Sequence, residues 1–245
     1  MKRFYLLFIL GLLVTSSVWA QGNDRAALRG AIGPSFTFLA SFDLDETTFT
    51  ELGNFTDGFD ITDASNDKAI NGNMLTMVGF EGFGEVTPHW TVGMYAGQGE
   101  YLSHSQDAQD VDFSVIFTLN QVGVTAELNT HARSRLNLLA GSMAGIGQAT
   151  LSASSSPENE DWVDIISGNV PRKAFTVSSW NYVIQPYLGA RFDISRSMGF
   201  KVATGYSLQK ADSGSWRLYH SKVISTSREF SMNALFFRLQ LFVLL

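Results

Sequence analysis

The sequence predicts an all-β protein: an antiparallel, up-and-down transmembrane β-barrel of eight strands, preceded by a cleaved signal peptide. Three observations carry that expectation. In residues 230–245, FSMNALFFRLQLFVLL, every second residue from Leu235 through Phe237, Leu239, Leu241 and Val243 to Leu245 is large and apolar. The opposite register, Ala234, Phe236, Arg238, Gln240, Phe242 and Leu244, is mixed and holds the polar groups. Period-two alternation is a strand with one apolar face, and an apolar face of about ten residues is what a strand crossing a bilayer needs. Seven further alternating segments precede this one, and the connections between segments alternate between tight turns and longer polar stretches.

The amino terminus sets the route. Met1 is followed by Lys2 and Arg3, an apolar run from Phe4 to Val14, and a stretch ending Val18-Trp19-Ala20. A basic tip and an apolar core too short to span predict a secretory signal over residues 1–20, cleaved before Gln21, with the barrel domain over residues 21–245. The chain has no Cys, which closes the lipoprotein route and excludes disulfides. Without Lys2 and Arg3 there are 15 basic residues against 23 acidic ones, a mature net charge of −8, and that argues against nucleic acid as a partner. The mature length, about 225 residues, suits one barrel or sandwich domain. No later apolar run reaches helical spanning length. An exported chain of this kind is either soluble or spans as a closed barrel, which satisfies every backbone group.

In order, the first segment, residues 28–39, sets Leu28, Ile32, Phe36 and Phe38 against Arg29, Ser35 and Thr37. The second, 74–85, sets Met74, Val78 and Phe80 against Glu81 and Glu85. Thr87-Pro88-His89 then turns the chain, because proline fixes φ and lacks the donor a strand needs. The third, 90–101, faces Trp90, Val92, Met94 and Ala96 outward, opposite Thr91, Gly93, Tyr95 and Gly97. In the fourth, 111–128, Val111, Phe113, Val115, Phe117 and Leu119 share one face, but Val122, Val124, Ala126 and Leu128 lie in the other register. A phase change near Asn120-Gln121 predicts a β-bulge. After a turn at 130–133, the fifth, 136–149, is rich in Gly and Ala. The sixth, 174–193, faces Trp180, Tyr182, Ile184, Leu188 and Phe192 outward, and residues 194–197 turn into the seventh, 198–208, with Phe200, Val202, Tyr206 and Leu208 outward. The eighth is the closing stretch.

Connections near Pro88, His131 and Ser195 are short, whereas residues 41–73, 102–110, 151–173 and 209–229 make longer polar ones. Short turns at one end and long loops at the other describe a bacterial barrel with periplasmic termini, and an even strand count lets the terminal strands pair. A soluble cup would carry its apolar residues inside. Here the face with the larger apolar side chains holds almost no charge, so lipid is the expected surroundings.

On these residues the chain resembles the small outer-membrane β-barrels of diderm bacteria, of the OmpX, OmpA-barrel and OmpW type. Those end in a strand with apolar or aromatic residues at alternate positions, read by the barrel assembly machinery. Phe237, Leu239, Leu241, Val243 and Leu245 match that spacing, although the chain closes on Leu where a terminal Phe or Trp is usual. The resemblance covers the whole mature chain as a pattern. It implies location in the bacterial outer membrane, with outer-membrane lipid and the assembly machinery as partners. Resemblance to the OmpW type also suggests a narrow channel passing small or hydrophobic solutes through a lateral gap in the wall. The phase change near Asn120 and the Gly-rich third and fifth segments are hints of such a gap.

Eight strands leave a lumen just wide enough for side chains to fill. The inward candidates are Arg29, Glu81, Glu85, Glu127, Arg191, Lys201 and Arg238, three acids and four bases. Strand direction gathers most of them at one end, where burial requires them to pair. They make either a structural salt-bridge core or a gate on a narrow proton or ion path.

Other chemistry is sparse. The first loop holds Asp43, Asp45, Glu46, Glu51, Asp57, Asp60, Asp63 and Asp67, with Phe49, Phe55 and Phe59 among them. Its carboxylates could collect a hard cation such as Ca²⁺, but the spacing fits no EF-hand, so a solvated acidic loop is expected. Ser103-His104-Ser105 and His220-Ser221, with Asp107, Asp110 or Asp212 nearby, are the groups a lipid-modifying enzyme would draw on, but they match no such motif, and His89 and His131 fall in turns. No transition-metal set or phosphate-binding Gly loop is present, so no cofactor is expected. Two function classes remain open. One is a non-enzymatic barrel with a structural or surface-interaction role, its loops meeting an extracellular ligand or host surface; the other is a narrow channel.

Overall fold

The computed structural model describes residues 30–40, 74–87, 89–106, 111–130, 135–157, 173–211, 216–218, 222–223 and 230–245. The expected signal over residues 1–20, Arg29 and the acidic loop lie outside the described residues. So do His131, His220, Ser221, Asp107, Asp110 and Asp212.

Each alternating segment forms a strand. In chain order they are β1 (Gly30–Ala40), β2 (Leu75–Glu85), β3 (Trp90–Gln106), β4 (Val111–Asn129), β5 (Leu136–Pro157), β6 (Lys173–Asp193), β7 (Met198–Ala211), β8 (Arg217–Leu218), β9 (Lys222–Val223) and β10 (Phe230–Leu244). Neighbours from β1 to β7 pair antiparallel in sequence order, β7 pairs with β10, and β10 closes on β1. The closing register runs from Ala31 opposite Leu244 to Ala40 opposite Leu235. This is a closed, eight-stranded antiparallel barrel, and closure removes the unpaired edges an open sheet would present. The two-residue strands β8 and β9 form a small hairpin on the far end of β6, Leu218 lying opposite Val177.

The pleat sends successive side chains to opposite faces, and the chemistry of the two faces matches the alternation in sequence. On β6, Trp180, Tyr182, Ile184 and Leu188 point outward while Asn181, Gln185, Tyr187 and Arg191 are buried within. On β10, Leu235, Phe237, Leu241 and Val243 point outward while Phe236, Arg238, Gln240 and Phe242 are buried.

Three expectations need correction. There is no bulge near Asn120: β4 pairs without a break with β3, from Trp90–Leu128 to Gln106–Asp112, and with β5, from Asn129–Leu139 to Val111–Pro157. Val115, Phe117, Leu119, Gln121, Thr125 and Glu127 all face inward. The register stays constant and the surroundings change instead. Toward the loop end the lumen is apolar, with Leu39, Leu75, Phe117, Leu119, Leu151 and Met232 in one core, and the outward residues Thr118 and Asn120 are polar.

The second correction concerns length. β3 runs to Gln106 and β5 to Pro157, so Ser103-His104-Ser105 sits in a strand paired with β4, not in a loop. Only residues 107–110 separate β3 from β4, and the second connection is as short as the opposite turns. These strand ends read as loops because their sequence, with Ser103, Ser105, Ser152, Ser154, Ser155 and Ser156, carries no sustained apolar alternation. The third is the β8–β9 hairpin, where Trp216 turns inward into the apolar core.

The backbone pairing skips Gly33–Pro34 on the β1–β10 seam and Gln185–Pro186 between β6 and β7, because proline donates no hydrogen bond. The wall stays shut at both places. A Cβ on Gly33 would collide with the Leu241 carbonyl, and one on Gly205 with that of Pro186. Only glycine lets the neighbouring strands approach so closely.

Candidate functional site

The inward polar residues collect in the half of the lumen nearer the tight turns. Lys201 on β7 stands between two carboxylates from across the barrel: it is ion-paired with Glu81 of β2 and lies 2.8 Å from Glu127 Oε1 of β4. The Tyr187 hydroxyl on β6 donates to the same Glu127 oxygen at 2.8 Å. A Cβ on Gly141 of β5 would fall 2.7 Å from the Tyr187 ring, so the missing side chain there makes room for it. One level nearer the turns, Arg191 Nη2 lies 3.1 Å from Glu85 Oε1. The two cations also sit over the Phe83 ring, Arg191 at 5.3 Å and Lys201 at 5.4 Å from its centroid.

Arg238 of β10 is held differently. Its guanidinium lies 4.0 Å from the Tyr95 ring centroid and 5.1 Å from that of Phe236. Nε donates to Thr37 Oγ1 at 3.0 Å and Nη2 to Gln185 Oε1 at 2.6 Å. Aromatic faces and polar oxygens thus take the place of a carboxylate. Gln185 continues the network by donating to Gln121 Oε1 and Ser207 Oγ, while Asn181 donates to Gln209 and Gln209 to Ser207. The Gln240 amide donates to the Glu81 carbonyl at 2.9 Å.

Glu81, Glu85, Glu127, Arg191, Lys201 and Arg238 therefore share one lumen. Among the described residues their charges, three negative and three positive, sum to zero. Glu81, Glu127, Lys201 and Arg238 are each at most 1 % exposed. Apolar residues flank the Lys201–Glu81–Glu127 cluster, Ala31, Phe83 and Phe242 at the turn end and the larger core on the loop side, while Glu85, on the turn side of Phe83, is the most open of the six with its side chain 13 % exposed. Chemically, this is a neutral polar plug between two apolar lids. Sequence reasoning picked out the ions and put Tyr95 and Gln240 on the inward face, but missed Tyr187, Gln121 and Gln185. Their inward register was the available signal.

The closing-strand residues lie on the other face. Phe237, Leu241, Val243 and Leu245 are exposed and Leu239 is half-buried, with Phe237 packed beside Phe38 of β1 at 6.3 Å between ring centroids. His89 is at the β2–β3 turn, its Nδ1 3.3 Å from the Asn129 carbonyl.

No family model matches the chain, and no curated protein matches it. Several solved structures are similar to it. A major outer membrane protein from Thermus thermophilus is 10 % identical with a TM-score of 0.43, over 88 % of this chain and all (100 %) of that one. The outer membrane protein OprG from Pseudomonas aeruginosa is 10 % identical with a TM-score of 0.41, over 89 % and 96 %. Ail, the attachment invasion locus protein of Yersinia pestis, in complex with the heparin analogue sucrose octasulfate, is 11 % identical with a TM-score of 0.37, over 86 % and 98 %. With eight antiparallel strands, a polar network in the lumen and an apolar outer wall, the chain shares with these structures the fold of a small closed β-barrel.

Proposed function

We propose that the chain is a bacterial outer-membrane barrel with a structural or surface-interaction role, exported by a signal over residues 1–20 and engaging an extracellular ligand or host surface through the loops opposite the tight turns. In this reading both termini are periplasmic, the outward residues Phe237, Leu239, Leu241, Val243 and Leu245 are the assembly signal, and no enzymatic step is assigned. The membrane assignment is supported by the outward belt, in which Trp90, Val92, Met94, Val124, Ile184 and Leu188 are all exposed. Water would make such a belt costly, and lipid accommodates it.

The observation that carries the role is the filled lumen. Lys201, Glu81 and Glu127 are sealed between apolar lids, which supports a structural plug over a conducting path. The channel reading loses its hint at Asn120, where strand pairing is continuous. Purified protein in planar bilayers should give no steady ion conductance. Reproducible conductance steps, abolished by unfolding the protein, would overturn the plugged reading and restore the channel.

A further inference from the structure

The cross-strand register places a change of chemistry along one line on the outside of the barrel. Ala96, Val122, Ile146 and Tyr182 lie opposite one another across β3, β4, β5 and β6. Two residues toward the loop end, still facing outward, the row becomes Gln98, Asn120, Gln148 and Trp180. The next row is Glu100, Thr118, Thr150 and Ser178, and the one beyond it is mixed, Leu102 and Ile116 beside Ser152 and Thr176, the last two 3.0 Å apart between hydroxyl oxygens. Inside the same stretch the wall is backed by Phe117, Leu119, Ala149 and Leu151. Over the two rows from Gln98 and Glu100 the wall is therefore polar outside and apolar inside, the reverse of the belt below.

Neighbouring strands are ~4.8 Å apart, so three side-chain amides stand in line at about that spacing with an indole at the end. Each amide both donates and accepts hydrogen bonds, and the indole, 50 % exposed, offers a flat apolar face with a polar edge. Paired donors and acceptors beside an aromatic face suit the adjacent hydroxyls and C–H faces of sugar rings. Glu100 stands at one end of the second row and exposed Arg217 of β8 stands opposite Ser178 at the other, so the face carries no net charge and its recognition chemistry is that of the neutral amides and the indole. The geometry points to a glycan-contact face along Gln98, Asn120, Gln148 and Trp180, and its occupant is the sugar headgroup of an outer-leaflet glycolipid. This rests on the reading above that the belt faces lipid, because only then does the row stand at headgroup level.

The test is binding of rough-type lipopolysaccharide to the full barrel in phospholipid bicelles, with phosphatidylglycerol as the anionic probe that lacks an oligosaccharide. The Asn120→Ala/Gln148→Ala double variant and, separately, Trp180→Leu should each bind lipopolysaccharide about tenfold more weakly, roughly 1.4 kcal/mol, with phosphatidylglycerol binding unchanged. Heat-modifiable gel migration confirms that each variant is folded; should the double variant fail to fold, Gln98→Ala takes its place. Wild-type affinity in the folded variants would overturn the glycan face, as would equal binding of both lipids by the wild type. Failure of the wild type to enter bicelles at all would instead strike the membrane reading, and the glycan face with it.

Discussion

Replacing Lys201 by methionine should cost about 3–5 kcal/mol of folding stability, the usual penalty for breaking a buried ion pair. The reason is what remains. Glu81 and Glu127 are buried to within 1 % of complete and both lean on the one ammonium. Without it, two carboxylates face each other behind apolar lids, and burying an unpaired charge is expensive. Removing all three charges together (Glu81→Gln, Lys201→Met, Glu127→Gln) should recover most of the loss, because deleting every partner of a buried pair can be nearly neutral. Urea unfolding in detergent or bilayers measures both variants. Small, additive effects would mean that the three groups are hydrated and that water threads the barrel.

Leu241→Arg should block assembly, at a cost of ~2–4 kcal/mol for a cation near the bilayer midplane. Leu241 is 49 % exposed on the outer wall, opposite Phe200 of β7, so the guanidinium would have no protein partner and no water. Leu239→Arg should behave similarly. The folded fraction, read from the difference in gel migration between boiled and unboiled samples, measures the effect. Variants that assemble as well as the parent chain would show that this wall meets water.

The barrel was legible in the sequence because the pleat converts period two directly into inside and outside. Arg238 and Gln240 between Phe237, Leu239 and Leu241 already mark which face of β10 is which. The ions could be named for the same reason, since a charge in the inward register has one place to go. Their pairing could not be read. Lys201 meets Glu81, 120 positions away, and Glu127, 74 positions away, and those meetings are set by how the strands are staggered around the ring. In the barrel Lys201 stands beside Glu81 and Arg191 beside Glu85, pairings that alternation alone does not specify.

The misreading of β4 has one cause. Hydrophobicity reports inside or outside only while the surroundings stay the same, and along β4 they do not. Phe117 and Leu119 face an apolar lumen, while Val122 and Val124 belong to the apolar outer belt. A switch of medium on both sides of a regular strand gives the same pattern as a bulge. The polar row at Gln98, Asn120 and Gln148 is that switch seen from outside.

The central claim, an apolar outer wall around a plugged lumen, is tested most directly by a single-cysteine scan. The chain has no cysteine of its own, so residues 235–243 of β10 can each be replaced, spin-labelled and probed in bilayers with oxygen and with a water-soluble relaxing agent. Labels at Leu235, Phe237, Leu239, Leu241 and Val243 should be open to oxygen and closed to the aqueous agent. Labels at Phe236, Arg238, Gln240 and Phe242 should be closed to both wherever the protein still folds. Access of the aqueous agent to the outward set would contradict the membrane wall, and its access to the inward set would contradict the plug.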